Sequence, residues 1–263
     1  MFYLDKIGLQ RFWLLLKERF IPNDTVKKIK IVDELPSTEE EGVLYLVKES
    51  TVVSPTKSYV ADNLGLYING SNGIIDLSGN DVKLTAVGDL DAIDGEIVLN
   101  GSTQCITTDY VPSDTTNLTV ELYAKVKNKN AAGLGDDEAT VFSIGTASPN
   151  RMSLQVDDRL EGLSVWGNNE GIQNTGASIT ENELVHIVYK ITNGTLDCFI
   201  NGTKYANVIT GWQAITDITS STLFAKYSAN SQYFYGAVKQ LRIYDKALTD
   251  EEVQQNYEYC TSN

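Results

Sequence analysis

The sequence predicts a mainly β protein, a two-sheet β-sandwich preceded by a short helix and a β-hairpin, on three observations. From Tyr59 onward the chain is a series of short runs in which apolar and polar residues alternate. In NLTVELYAKVK, for instance, Val120, Leu122, Ala124 and Val126 share one face. Two Asn-Gly dipeptides, Asn193-Gly194 and Asn201-Gly202, separate consecutive runs, and Asn-Gly supplies the positive φ values of a two-residue type I′ turn. Helical periodicity is confined to the two ends of the chain. The 263 residues suffice for one large sandwich with a small appendage.

The appendage comes first. Within residues 5–20, Leu9, Phe12, Trp13, Leu16 and Phe20 recur at helical spacing and form one stripe, while Ile7 and Leu14 lie on the opposite side. A short helix that is apolar on both faces is a solubility liability when exposed. The stripe is therefore expected to serve oligomerisation and attachment, packing between copies or against a larger assembly; packing on the protein's own sandwich is the alternative. Pro22-Asn23-Asp24 ends the helix. KIKIV (28–32) and VLYLV (43–47) then read as two short strands joined by the acidic turn DELPSTEEEG, with Pro36 and Gly42 as punctuation, hence a hairpin.

Beyond residue 58 the reading is strand and turn. EIVLNGSTQCITTDYV reads as a strand pair, followed by TVFSIGT, RMSLQVD, LEGLSVWG, ELVHIVYKIT, TLDCFIN and STLFAKY. The last strand, YGAVKQLRIY, offers Val238, Leu241, Ile243 and Tyr244 for burial and runs into Thr249-Asp250-Glu251-Glu252. A Thr N-cap with Glu three residues later is a capping box, and Leu248 and Val253 flank it as a hydrophobic staple, so a short C-terminal helix is expected. Asn69, Asn100, Asn117, Asn193 and Asn201 each open an Asn-X-Ser/Thr sequon; with no sign of a secretory route, they read as turn residues.

Two family resemblances follow from these segments. NLGLYINGSNGIIDLSGNDVKL, EIVLNGSTQCITTDYV, ELVHIVYKITNGTLDCFINGTKY and the final strand with its capped helix resemble the laminin G-like domains of the concanavalin A-like jelly-roll superfamily, from Tyr59 to the C-terminus. Leu184 stands where that family usually has Trp. The resemblance implies a jelly-roll β-sandwich, most often a binding module. The opening, LDKIGLQRFWLLLK followed by KIKIVDELPSTEEEGVLYLV, is similar over residues 4–48 to the N-terminal attachment segment of tail-fibre, head-fibre and other virion structural proteins of bacteriophages. That likeness implies a segment that trimerises or docks a distal domain on the particle.

Composition narrows the partners. With 21 Lys and Arg against 35 Asp and Glu, the formal charge of −14 repels a phosphate backbone, so nucleic acid is not an expected partner. The apolar run near the start is cut off by Lys17, Glu18 and Arg19, too short for a secretion signal or a membrane span, so neither export by this route nor membrane insertion is expected. Cys105, Cys198 and Cys260 are odd in number and lack metal-ligand spacing, which fits reduced, buried thiols.

Catalytic patterns are sparse. Glucanases with this jelly roll carry carboxylates at E-x-D-x-x-E spacing on one strand, whereas VELYAKVK has only Glu121, and Asp157-Asp158-Arg159-Leu160-Glu161 has the spacing of a turn. His186, the single histidine, lies in a strand and is read as a packing residue; no Ser-His-Asp set or phosphate loop is present. The chain is therefore expected not to be an enzyme. For sugar binding, Trp166, Trp212, Tyr233 and Tyr235 can stack on pyranose faces, with Asn168 and Asn169 beside Trp166; the same aromatics can equally be core. The laminin G-like resemblance implies one calcium ion, for which Asp136, Asp137 and Glu138 are the candidates, a solvated acidic loop being the alternative. No other cofactor is expected.

These readings combine into a bacteriophage virion protein. Residues 1–58 form the attachment and oligomerisation segment and 59–263 the jelly roll. Its partners are further copies of itself as a homotrimer, other virion proteins, and host-surface or mucus glycan; its location is the virion, made in the host bacterial cytoplasm. A bacterial cell-surface lectin and a glucan-cleaving enzyme are the alternatives.

Overall fold

The computed structural model describes residues 28–32, 43–47, 58–135, 138–147, 150–167, 178–227 and 231–262. The chain divides into two units, 1–56 and 57–263. In the first, β1 (Lys28–Val32) and β2 (Val43–Val47) pair side by side, with Lys28 opposite Val43 and Val32 opposite Val47. The pairing is parallel, which corrects the expected hairpin. The connection of about ten residues, at ~3.3 Å each when extended, is long enough to return to the start of a five-residue strand, so turn-like composition alone does not force an antiparallel return. The stripe of Leu9, Phe12, Trp13, Leu16 and Phe20 lies outside the described residues.

The second unit is a sandwich of two open antiparallel sheets. The larger holds β14 (Thr203–Ile209), β13 (Thr195–Ile200), β12 (Leu184–Thr192), β8 (Leu118–Val126), β16 (Tyr235–Tyr244), β6 (Glu96–Asn100) and β5 (Asp91–Ile93), in that order. β3 (Leu64–Asn69) extends the β6 side by pairing with the C-terminal half of β16. The smaller sheet runs β11 (Leu163–Gly167), β10 (Asn150–Val156), β9 (Ala139–Ala147), β15 (Ser221–Leu223), β7 (Cys105–Thr108) and β4 (Leu84–Val87). β6 and β7, expected to pair with one another, belong to different sheets, because the turn between them carries the chain from one layer to the other.

Alternation sorts the side chains. Leu118, Val120, Leu122 and Ala124 of β8 meet Met152, Leu154 and Val156 of β10 in the core between the sheets. Asn193-Gly194 and Asn201-Gly202 turn β12 into β13 and β13 into β14 with φ of 47° and 74°, then 49° and 77°, the left-handed values that Asn and Gly tolerate. Burial pushes the Cys105 thiol up to about 11 and raises those of Cys198 and Cys260, so all three buried cysteines are protonated thiols near neutral pH.

A C-terminal helix, α1 (Asp250–Ser262), covers the outer face of the larger sheet. Its start is the expected capping box: the Glu252 N–H donates to Thr249 Oγ1 at 3.1 Å, and the Thr249 N–H to Glu252 Oε2 at 2.8 Å. Leu248 and Val253 close the staple in a second apolar cluster with Tyr67, Val188 and Phe199. Among the described residues no helix is long and apolar enough to cross a membrane.

Candidate functional site

Among the described residues, buried polar side chains gather on the outer face of each sheet. Beneath α1, Glu121 of β8, His186 of β12 and Arg242 of β16 project from the larger sheet and are buried. Arg242 Nη1 lies 3.3 Å from Glu121 Oε2, His186 Nε2 lies 3.2 Å from Glu121 Oε1, and Asn256 of the helix donates to Glu121 at 2.8 Å. The rings of Tyr59, Tyr67 and Tyr259 surround the guanidinium at 4.9–5.2 Å. Burial alone would discharge Arg242, but Glu121 beside it outweighs that and holds it firmly charged. Its charges are paired within the cluster, although His186 Nδ1 and Arg242 Nε are buried without a hydrogen-bond partner, and it ties the helix to the start and centre of the sandwich. His186 is thereby placed in packing, as expected, and Glu121 with it.

The second place is a shallow cavity of about 80 Å3, open to solvent, on the outer face of the smaller sheet. Its lining comes from Arg151 and Ser153 of β10, Trp166 of β11, and Lys226 and Gln232 of the β15–β16 connection. The sequence builds it by alternation: Met152, Leu154 and Val156 turn inward, so Arg151, Ser153 and Gln155 turn outward, as do Ser164 and Trp166 between Leu163, Val165 and Gly167. Register then matters. Trp166 stands opposite Ser153, and Ser164 opposite Gln155. The row continues through Ser143, Thr222 and Thr107 to Thr85, so one polar line crosses all six strands.

The β15–β16 connection folds back over this row and forms one wall. The Lys226 N–H donates to the Ser231 carbonyl at 3.0 Å, Ser143 Oγ donates to the Ala225 carbonyl at 2.9 Å, and Gln155 Nε2 donates to Gln232 Oε1 at 3.0 Å. The Arg151 guanidinium lies 4.8 Å from the Trp166 ring centroid. Neither Arg151 nor Lys226 has a carboxylate partner among the described residues. Three polar atoms of this face, Gln155 Oε1, Ser164 Oγ and Trp166 Nε1, are buried without a hydrogen-bond partner. Native proteins rarely leave such atoms unpaired, because each costs about 1–3 kcal/mol.

Of the described residues expected to bind sugar, Trp166 alone lines this cavity. Trp212 is buried in the inter-sheet core, its ring pressed on Gly167 of β11 where a side chain would collide, so it offers no stacking face. Tyr235 sits at the start of β16 with Lys127 Nζ 5.2 Å above its ring. Tyr233 is half-buried, and burial, with Cys105 nearby, raises its hydroxyl above the ordinary value. Asn168 and Asn169 lie outside the described residues, as do Asp136 and Asp137. The remaining calcium candidate, Glu138, accepts a 3.4 Å hydrogen bond from Gln232. Among the described residues no three His, Cys, Asp or Glu converge on a metal-sized site, so no metal chemistry is assigned. Asp157 accepts from the N–H groups of Arg159 and Glu161, which makes the 157–161 acidic run a turn. Sequence reading missed Arg151, Ser153, Lys226 and Gln232; the alternation in RMSLQV marked the first two as outward-facing, but their convergence with Trp166 depends on strand register.

The sequence matches the Laminin_G_3 family, described as the concanavalin A-like lectin/glucanases superfamily, over residues 100–254. That is more than half of the chain, which therefore belongs to this superfamily. Among solved structures, it is similar to domain 4 of AbnA, a GH43 extracellular arabinanase from Geobacillus stearothermophilus in complex with arabinotriose. The TM-score is 0.58 at 21% identity, over 74% of this chain and 98% of that one. It is also similar to Trypanosoma rangeli sialidase in complex with sialic acid (TM-score 0.56, 14% identity, 74% of this chain), of which it spans 32%. A third likeness is to the binding domain of botulinum neurotoxin DC in complex with rat synaptotagmin II (TM-score 0.55, 12% identity, 78% of this chain, 52% of that chain). At these identities the likeness concerns the fold. No curated protein matches the sequence. The expectation that the chain is not an enzyme is corrected here: its structural neighbours are from glycoside hydrolases, an arabinanase and a sialidase, and the fold is shared with non-enzymatic binding domains.

Proposed function

We propose that the jelly roll binds glycan in the Arg151–Trp166–Lys226 cavity, and that the whole chain is a head-fibre or tail-fibre protein of a bacteriophage virion that displays this domain. The observation that carries the glycan reading is the convergence, around one cavity, of an indole, two cations, a serine hydroxyl and a glutamine amide. A sugar ring meets each need, with C–H faces for the indole and hydroxyls that both donate and accept. The neighbours lend support, since the arabinanase domain was solved with arabinotriose and the sialidase with sialic acid. The virion reading rests on the resemblance of residues 4–48 to phage attachment segments. On it, the Leu9–Phe20 stripe assembles a homotrimer on other virion proteins, and the trimer multiplies weak single sites through effective concentration. Retention of the intact chain on immobilised glycans and on host cells tests the glycan reading, with loss expected for Trp166→Ala; unchanged retention in that variant contradicts it. Electron microscopy of antibody-labelled particles tests the virion reading, and unlabelled particles from an expressing host contradict it.

A further inference from the structure

We infer that the glycan taken by this cavity carries a carboxylate, as a uronic or nonulosonic sugar acid does, and that Arg151 and Lys226 hold that group. The inference rests on the glycan reading above and adds the chemical class. The Arg151 guanidinium sits over the Trp166 ring, 4.8 Å from its centroid, a contact that consumes none of its five N–H donors. The indole thus holds the guanidinium at the cavity while its fork of donors is left for a planar two-oxygen acceptor. Lys226, its ammonium 5.4 Å from the Tyr227 ring centroid, brings a second positive charge to the lining of the same cavity. Both cations lack carboxylate partners among the described residues, in a chain with 35 acidic residues and net charge −14.

The rest of the face argues against a simple anion site. Ser153 and Gln232 line the cavity with a hydroxyl and an amide, each able to donate and accept, and the Trp166 indole N–H has no acceptor within the protein. A bare anion only accepts, whereas a sugar acid presents hydroxyl donors and acceptors around one carboxylate. The protein's overall negative charge further disfavours a polyanion, which would bring many charges into a repelling field.

Calorimetric titration of the intact chain with trigalacturonate and its methyl ester, and with sialyllactose and lactose, tests the inference. At least one acid of the two pairs should bind about tenfold tighter than its neutral counterpart, the ratio weakening as salt rises. Arg151→Gln and Lys226→Gln should each bring that ratio towards one, and Arg151→Lys should fail to restore it, because an ammonium lacks the planar fork. The loop position of Lys226 keeps the test decisive should the Arg151 variant fold poorly. Equal affinity for acids and neutral counterparts would overturn the carboxylate inference and leave the glycan reading standing. Tighter binding of heparin than of either acid would replace it with a generic anion site. No affinity for any of these sugars, or for those on a glycan array, would remove both.

Discussion

Arg242→Met removes the cation at the centre of the cluster beneath α1 and leaves its partner stranded. Both Arg242 and Glu121 have side chains 1% exposed, so the variant leaves a carboxylate buried with only His186 and Asn256 as partners. Breaking a buried ion pair from one side costs about 3–5 kcal/mol. Loss of three aromatic neighbours of the guanidinium adds to this, but methionine recovers part of the packing, so about 4 kcal/mol is expected. For a unit of this size each kilocalorie lowers the melting temperature by roughly 2–4 °C, giving a fall of about 8–16 °C. The partner variant Glu121→Gln identifies the cause. An amide retains hydrogen-bonding capacity towards His186 and Asn256 without a charge, so the double variant should be more stable than Arg242→Met alone by about 2 kcal/mol. Urea denaturation followed by near-ultraviolet circular dichroism measures all four proteins. Costs that simply add, or an Arg242→Met cost below about 1 kcal/mol, would show that the pair is not what anchors the helix.

Thr249→Ala should cost about 1 kcal/mol by removing one half of the capping box, and Val253→Asp at least about 2 kcal/mol by burying a carboxylate in the staple; equal melting temperatures for the wild type and both variants would refute the capping account. The hydrogen bond from Lys190, then that from Lys204, hold the Asp250 carboxyl below its ordinary value against the opposing effect of burial. A lowered carboxyl stabilises the fold above the unfolded value of about 3.9 and loses that contribution as pH falls through the lower folded-state value. Asp250→Asn should therefore reduce the acid-side fall in stability below about pH 4, by less than about 1 kcal/mol because Asp250 is half-exposed; urea midpoints between pH 6 and 3 that fall in parallel would contradict it. On the virion reading, the intact chain should scatter light as an oligomer and a chain lacking residues 1–21 as a monomer, and a monomeric intact chain would defeat the assembly proposal.

Local signals in the sequence were reliable wherever residues close along the chain set the geometry. The Thr249–Glu252 box and the two Asn-Gly turns are of this kind, since their donors, acceptors and φ values lie within three residues of one another. Strand alternation likewise marked the core face of β8. What the sequence did not yield depends on long separations. Glu121, Arg242 and Asn256 meet across more than a hundred residues, so neither the solitary glutamate in VELYAKVK nor the arginine in LRIY announced a partner. Trp166 and Trp212 looked alike as aromatics in β context, yet Gly167 leaves room for the second in the core while strand register sets the first against Ser153 at the surface. The direction of β2 relative to β1 was misread for a related reason, since a polar connection of this length permits either.

The central claim, that glycan is held on the outer face of the smaller sheet, is tested most directly by a crystal structure of the intact chain with the best-retained oligosaccharide. The account predicts a sugar against Trp166, with its acidic group within hydrogen-bonding distance of Arg151 and Lys226 and its hydroxyls paired with Ser153 or Gln232. A well-ordered sugar at any other surface, with the cavity between β10, β11 and the β15–β16 connection left without it, would contradict the account.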